Sequence, residues 1–538
     1  MISKPTQIGY ECTLANLPAM EEWLSLCCIA LSTVLALWFL KLNGGTKKFK
    51  KQQLPPGPWT LPVIGSLHHV VSLLPHRRMM DMSRQHGPLM HLVLGEVPTV
   101  IVSSAEAAEL VMRTNDLAFA TRPGTPTQDI FGCGGKDVVF APYGEHWRQM
   151  RKVCVVEFLS SRQVKRMEGI RAEEVGSLLR SIAAAAAAST SGGAAIINFS
   201  QEVAALSNDV VTRAVFGGKF ARQREYIREL GRALELMGGS CLVDIFPSSR
   251  LARWLSHGGR SIKKSSACIK RIISGIIEER QAARAAASDG ACSSTSVDEN
   301  FLDALLRLQQ EGSLEIPLTT DAIGAVLSDM FAGGTETIAT TLAWAMSELV
   351  RSPEIMAKAQ QEVREVLGEG RSVITNSDLT KLRYPKLVIK EVLRLHPASP
   401  LIPRAAREDC TVMGYDIPKG TNVYINVFAI SRDPKNWNSP GEFKPERFED
   451  TQVNFNGTYF EFIPFGAGRR QCTGIQFTLS LAVMALANFL YHFDWKLPDA
   501  SSLASFDMSE KFGITVCRRY DLKLRAVPHV WPNATLSE

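Results

Sequence analysis

Charge-free and periodic stretches alternate along this chain in a way that sorts it into an anchor, a stiff connector and a helical body. Trp23 to Leu40 is a run of about 18 residues without a charge, long enough for a membrane-spanning helix. Glu21 and Glu22 precede it; Lys41, Lys47, Lys48, Lys50 and Lys51 follow it. The positive side of such a span stays cytosolic, which predicts a single-pass protein whose body faces the cytosol. A cleaved leader fits less well, because its charges would lie on the other side and a small-residue cleavage site would follow. Leu54-Pro55-Pro56-Gly57-Pro58, with Pro62 and Gly65 behind it, cannot continue a helix and is stiff. Beyond it, apolar residues recur with helical period over Asp321–Val350, Leu387–Leu395 and Ile475–Tyr491. Strand-like runs are short: Leu89–Leu94, Thr99–Val102 and Thr421–Val427. Ala183–Ala195 and Gln281–Ser296 show no apolar face and are expected as surface loops or frayed helix ends. The pattern predicts a mainly α fold with small β-sheets.

Composition narrows the class. Of 538 residues, 45% are hydrophobic and 21% charged, as in a globular protein with a large core. The length allows two or three ordinary domains or one large helical body. A net charge of +6 is small for this length, and no basic block has the density of a nucleic-acid surface. The 11 cysteines are an odd number, with no C-x-x-C pair and no zinc spacing. That usage fits a reducing, cytosol-facing body.

The sharpest chemical signal is Phe465-Gly466-Ala467-Gly468-Arg469-Arg470-Gln471-Cys472-Thr473-Gly474, directly before the apolar helical run. Glycines let a backbone pass close to a flat group. Arg470 offers a fixed charge and a fork of donors for a carboxylate. The start of the following helix favours an anionic sulfur. The spacing Phe-x-x-Gly-x-Arg-x-Cys-x-Gly resembles the haem-binding loop of the cytochrome P-450 family. There a Cys thiolate is the axial ligand of the haem iron.

Four further constellations carry the resemblance. The first is Phe331-Ala332-Gly333-Gly334-Thr335-Glu336-Thr337, inside a long apolar helix. Two glycines in a helix cost about 1 kcal/mol each, so a local opening with room for a small ligand is expected. The segment is similar to the family's oxygen-activation motif, which implies catalytic roles for Thr337 and for Glu336 as a proton-relay acid; Ile338 departs from the motif, where a hydroxyl residue is usual. The second is Glu391-Val392-Leu393-Arg394, with Arg447 downstream. An i, i+3 pair shares a helix face and is usually a weak surface pair. The resemblance instead joins Glu391, Arg394 and Arg447 into a structural triad behind the haem loop. The third is Trp147 with Arg151, four residues apart, and the fourth is Arg404. The resemblance assigns Trp147, Arg151, Arg404 and Arg470 to the haem propionates, which are two carboxylates that want cationic or N–H donors. Phe465, Gly468 and Gly474 complete the cofactor loop.

The resemblance is closest to plant microsomal members and covers nearly the whole chain. It implies a P-450 fold with an N-terminal transmembrane helix: an anchor over 1–45, a basic and proline-rich hinge over 46–65, and a haem-binding monooxygenase domain over 66–538. It implies haem b held by Cys472, insertion of one oxygen atom from O2, and residence in the endoplasmic reticulum membrane. No flavin or dinucleotide motif is present, so NADPH and flavins would act only through a partner cytochrome reductase. Stretches 124–138, 324–333, 398–402 and 511–516 are expected to meet the substrate, and their large side chains are mostly apolar. A lipophilic specialised metabolite is expected, a sesqui- or diterpene first, with phenylpropanoid, alkaloid and oxime-type substrates as alternatives. A haem-thiolate isomerase or dehydratase is a further alternative, though such enzymes tend to lose the acid–threonine pair found here, and a haem sensor or membrane scaffold would have no use for it.

Overall fold

The computed structural model describes residues 32–33, 53–188, 195–238, 241–288, 299–498 and 506–531. The chain divides into two units, Met1–Gln53 and Leu54–Glu538. Within the first, Ser32, Thr33 and Gln53 are described, and Ser32 and Thr33 are helical. The rest of the predicted span Trp23–Leu40 lies outside the described residues.

The second unit is mainly helical. The helices that build its centre are α1 (Glu145–Cys154), α2 (Phe199–Phe216), α3 (Gln223–Gly238), α4 (Thr320–Arg351), α5 (Tyr384–Leu395) and α6 (Ile475–His492). α4 begins where the Thr319 side chain accepts the Ala322 N–H at 3.2 Å, a cap that satisfies one orphan donor. It ends at Ser352-Pro353, since proline cannot extend the ladder. Packed against α2, α5 and α6, α4 is buried nearly all round through its second half, from Thr340 to Val350. α6 is apolar enough to cross a membrane by length and composition, but 72% of it is buried inside the protein. It is a core helix.

Four strands flank the centre: β1 (Leu89–Leu94), β2 (Val97–Val102), β3 (Leu401–Ala405) and β4 (Asn422–Asn426). They form one sheet in the order β1-β2-β4-β3, with β2 and β4 parallel and the other pairs antiparallel. Period-2 alternation turns Ile402 and Arg404 of β3 to the same buried side. The proline-rich segment runs along β1, where the Pro56 carbonyl accepts the His91 N–H at 2.9 Å.

The alanine-rich stretches differ from expectation. Ala183–Ala187 completes the helix Glu168–Ala187, with Ile182 and Ala186 buried, and Ala195 opens a strand. Residues 281–288 are the regular end of His257–Ser288. Alanine needs little tertiary support to stay helical, and the buried Ala186 uses its small volume as a packing contact.

Candidate active site

Cys472 lies at the end of a loop whose turns are fixed by backbone bonds. Its N–H donates to the Phe465 carbonyl at 3.0 Å, and the Gln471 N–H donates to Gly468 at 3.0 Å. Gly468 has φ +68°, and a Cβ there would stand 2.2 Å from the Met112 carbonyl oxygen, so no other residue fits. The sulfur accepts the Gly474 N–H at 3.3 Å at the start of α6. Arg151, on α1, donates to the Gln471 carbonyl at 2.7 Å. Burial pushes the thiol above its ordinary pKa, and the Gly474 N–H and the Arg151 charge only partly offset this. The helix start therefore does not by itself hold a thiolate; a coordinated metal ion would complete the ionisation. The side chain is accessible from within the protein, because it faces an interior cavity rather than the outer surface.

That cavity has a volume of about 290 Å³ and is walled by α4, β3, the Cys472 loop and residues 138–139. Ligand pockets for one drug-sized molecule span about 300–1,000 Å³, and this one lies at the lower end of that range. Across from the thiol, Met330, Gly333, Gly334, Thr337 and Thr341 of α4 line it. The helix is continuous through both glycines, so the expected local opening does not occur. Room comes instead from Gly333, where a Cβ would meet nothing within 4 Å. Thr337 Oγ1 donates to the Gly333 carbonyl at 2.8 Å, which leaves its lone pairs facing the cavity. Glu336, one residue back and so turned about 100° away, is not among the lining residues. Burial raises its carboxyl pKa, and a hydrogen bond with Thr515 opposes that rise.

The arginines assigned to carboxylate binding converge, and a fourth joins them. Arg470 is buried and donates to the carbonyls of Ala120 at 2.6 Å and Ala141 at 2.5 Å. Arg404, 2% exposed, has among the described residues only the Pro403 and Ala467 carbonyls as hydrogen-bond partners, at 3.0 and 3.4 Å. Trp147 gives its indole N–H to Val138 at 3.0 Å and packs under Arg470, 4.1 Å from ring centre to guanidinium. Arg122 completes the group, bonded to the Val139 and Pro403 carbonyls. It was not singled out from the sequence. Its only sequence signal is a lone charge between Ala118-Phe119-Ala120 and Pro123, and its place depends on a long-range bridge between Thr121 and Ala405.

Burial, then mutual repulsion, pushes these cations down: Arg470 to about 8, Arg122 to about 10, and Arg404 well below the usual range. The nearby carboxylates are Asp137 and Asp116, and Asp116 is already engaged by Arg469. A buried surplus of positive charge beside a thiol cavity is costly unless an anion is bound. Two propionates on a flat macrocycle above Cys472 fit that donor set.

In the triad behind the loop Glu391 and Arg394 are fully buried and Arg447 is half-buried. Arg394 holds Glu391 through two bonds of 2.8 Å and donates to the carbonyls of Ser431, Pro440 and Glu442. Arg447 donates to Glu391 at 2.9 Å. These bonds tie α5 to the segment leading into the cofactor loop.

Of the substrate-facing stretches expected from the sequence, Val138, Asp329, Met330, Gly333, Ala398 and Ile402 reach the cavity. Phe512, from 511–516, instead stacks on His76, 5.7 Å between centroids. Phe158, Leu159 and Val211 line the cavity without having been expected there.

A thiol-floored cavity ringed by carboxylate-seeking arginines, on a helical body with a small mixed sheet, defines a haem-thiolate protein. The comparisons agree: the cytochrome P-450 pattern matches residues 55–520, and the chain belongs to that family. It is 45% identical to zealexin A1 synthase of Zea mays over 509 residues, 94% of this chain and 98% of the other. It is 43% identical to desmethyl-deoxy-podophyllotoxin synthase of Sinopodophyllum hexandrum, covering 94% and 98%. It is 44% identical to ent-cassadiene hydroxylase of Oryza sativa subsp. japonica, covering 96% and 99%. A zebra fish cytochrome P-450 solved with progesterone superposes with a TM-score of 0.71 at 27% identity, over 85% of this chain and 99% of that one. The protein is a monooxygenase of the plant P-450 type.

Proposed function

We propose that this monooxygenase inserts one oxygen atom into a terpenoid skeleton, a sesqui- or diterpene, with electrons from a separate NADPH-dependent reductase. The observation that carries the substrate class is the lining opposite Cys472. Val138, Val139, Val211, Met330 and Ile402 give the cavity hydrocarbon contact, with Asp329, Thr337, Thr341 and Ser399 as polar side chains beside them. A relative that hydroxylates ent-cassadiene supports the same class.

When bound, the haem supplies the oxygen activation. Cys472 is the residue to hold its iron, and Arg122, Arg151, Arg404 and Arg470 are those to hold its carboxylates. Apolar side chains on the α4 side orient the skeleton by shape and exclude water. Thr337 presents its hydroxyl oxygen to the cavity and is placed to pass a proton. Burial raises the Glu336 carboxyl pKa, which suits an acid that feeds the relay from the Thr515 side.

Membrane attachment, with the catalytic body facing the cytosol at the endoplasmic reticulum, is part of the same reading. The uncharged run and the lysines after it support it. So do the exposed side chains of Trp59, Val63, Val71, Leu73, Leu251 and Trp254, an apolar set that suits lipid contact. The hinge over 46–65 would set the body against the bilayer.

The test is product analysis after co-expression with a reductase and feeding of sesqui- and diterpene hydrocarbons. Products carrying one added oxygen, formed only with NADPH, are expected. Turnover of phenylpropanoids or alkaloids alone would overturn the substrate class. Rearranged products without NADPH use would overturn the monooxygenase cycle.

A further inference from the structure

The last residue of α4 to line the cavity is Thr341. One turn further on, Trp344, Ser347 and Glu348 share a helix face, and all three are buried. A buried indole, hydroxyl and carboxylate each need a partner, and each finds one far away in the chain. The Trp344 indole N–H donates to the Val516 carbonyl at 3.2 Å. Ser347 Oγ accepts from Arg518 at 2.9 Å. Glu348 Oε1 accepts from Nε2 of His396 at 2.6 Å; a carboxylate oxygen only accepts, which places a ring proton on Nε2. The His396 ring also lies flat on the Trp344 indole, with 4.2 Å between centroids and 5° between planes.

These contacts meet at one segment of the cavity wall. Between the end of α5 at Leu395 and the start of β3 at Leu401, the chain has no helix or strand of its own. Pro397 and Pro400 lie in it, and neither can donate a main-chain hydrogen bond. The segment is therefore held from outside. His396 ties its start to α4. At its middle, the Ala398 carbonyl accepts the Val516 N–H at 2.9 Å. Val516 thus gives its N–H to Ala398 and its carbonyl to Trp344. Ala398 and Ser399 line the cavity, whereas Trp344, Glu348, His396 and Val516 stand behind it.

We propose that Trp344 and His396 are positioning residues for the substrate side of the cavity. Acting through Val516 and the segment 396–400, they fix the wall at Ala398 and Ser399 against α4, and so set how bulky a ligand fits beside the cofactor. The same helix carries Thr337, seven residues and about two turns before Trp344. The wall and the cavity-facing hydroxyl are thereby held at one spacing. This role does not depend on which substrate the cavity takes. A purely structural role would lower stability and leave the choice of ligand alone.

The test uses the full-length, haem-loaded protein in detergent and two probes that bind haem iron through an imidazole nitrogen, read by the shift of the main haem band. Imidazole itself needs only the iron. Clotrimazole, an imidazole carrying three aryl rings, must also pack against the wall. Trp344→Phe keeps a ring for His396 but has no N–H for Val516. His396→Gln keeps a donor for Glu348 but loses the ring that rests on Trp344. Each variant should weaken clotrimazole by about fivefold, the size of one lost hydrogen bond or ring contact, with imidazole affinity held within about twofold. Where one variant fails to load haem, the other carries the test. Unchanged or tighter clotrimazole binding in a haem-loaded variant, or an equal loss of both probes, would overturn the assignment.

Discussion

The two sides of the cavity are built on opposite rules. On the Cys472 side directional bonds set the frame: main-chain carbonyls hold Arg470, two arginines hold Glu391, and Phe465 holds the Cys472 N–H. On the α4 side the lining is Val211, Met330 and Gly333, and the Thr337 hydroxyl is bonded within its own helix. Directional bonds fix where a cofactor must sit. Shape alone decides what may lie beneath α4, and shape is changed by single methyl groups. One side can therefore stay constant while the other changes its substrate.

Substitutions on the bonded side should break more than those on the apolar side. The largest effect is expected for Glu391→Ala, which leaves the buried Arg394 and the half-buried Arg447 without their carboxylate. Breaking such a pair costs about 3–5 kcal/mol, a large share of a stability of about 5–15 kcal/mol. The ratio of haem to protein absorbance should fall nearly to zero; normal loading would show that the triad is not what holds the loop. Next comes Arg404→Leu, with a split outcome. Haem loading should drop several-fold, while the haem-free protein should melt at a higher temperature, since a buried unpaired cation has been removed. A lower melting point for the haem-free variant would mean that Arg404 is not paired with an external anion.

Thr337→Val should leave haem loading and NADPH use in place but lower product per NADPH several-fold, with hydrogen peroxide rising. Unchanged coupling would confine Thr337 to packing. The smallest effect on the protein belongs to the apolar side. Met330→Phe, at a partly buried cavity residue, should scarcely change loading or melting, yet shift preference toward a smaller terpene by about tenfold, as differences of a methylene or so do in apolar pockets. Equal rates for large and small substrates would place the substrate elsewhere.

The same asymmetry governs what the sequence disclosed. The cofactor loop, the triad and α4 were legible because their chemistry demands particular residues at short spacing. Arg122 was not, since it reaches the cluster only through the contact of Thr121 with Ala405, far away in the chain. Asp137 and Asp329 were visible only as charges of unknown direction in substrate-facing stretches, and their burial is a tertiary fact. Gly333-Gly334 pointed correctly to room beside the cofactor but not to its origin, for the helix stays intact and the missing side chain makes the space. The Cys472 loop suggested a preformed thiolate, whereas burial works against the charge until a metal ion is bound.

The central claim is that Cys472, and no other residue, supplies the axial thiolate of a haem monooxygenase. The most direct measurement is the difference spectrum of the reduced protein with carbon monoxide, for wild type and for Cys472→Ser. Wild type should show the strongly red-shifted main haem band that thiolate ligation produces, and Cys472→Ser should lose it while any retained haem absorbs at the ordinary position. A red-shifted band that survives in Cys472→Ser, or its absence from haem-loaded wild type, would contradict the account.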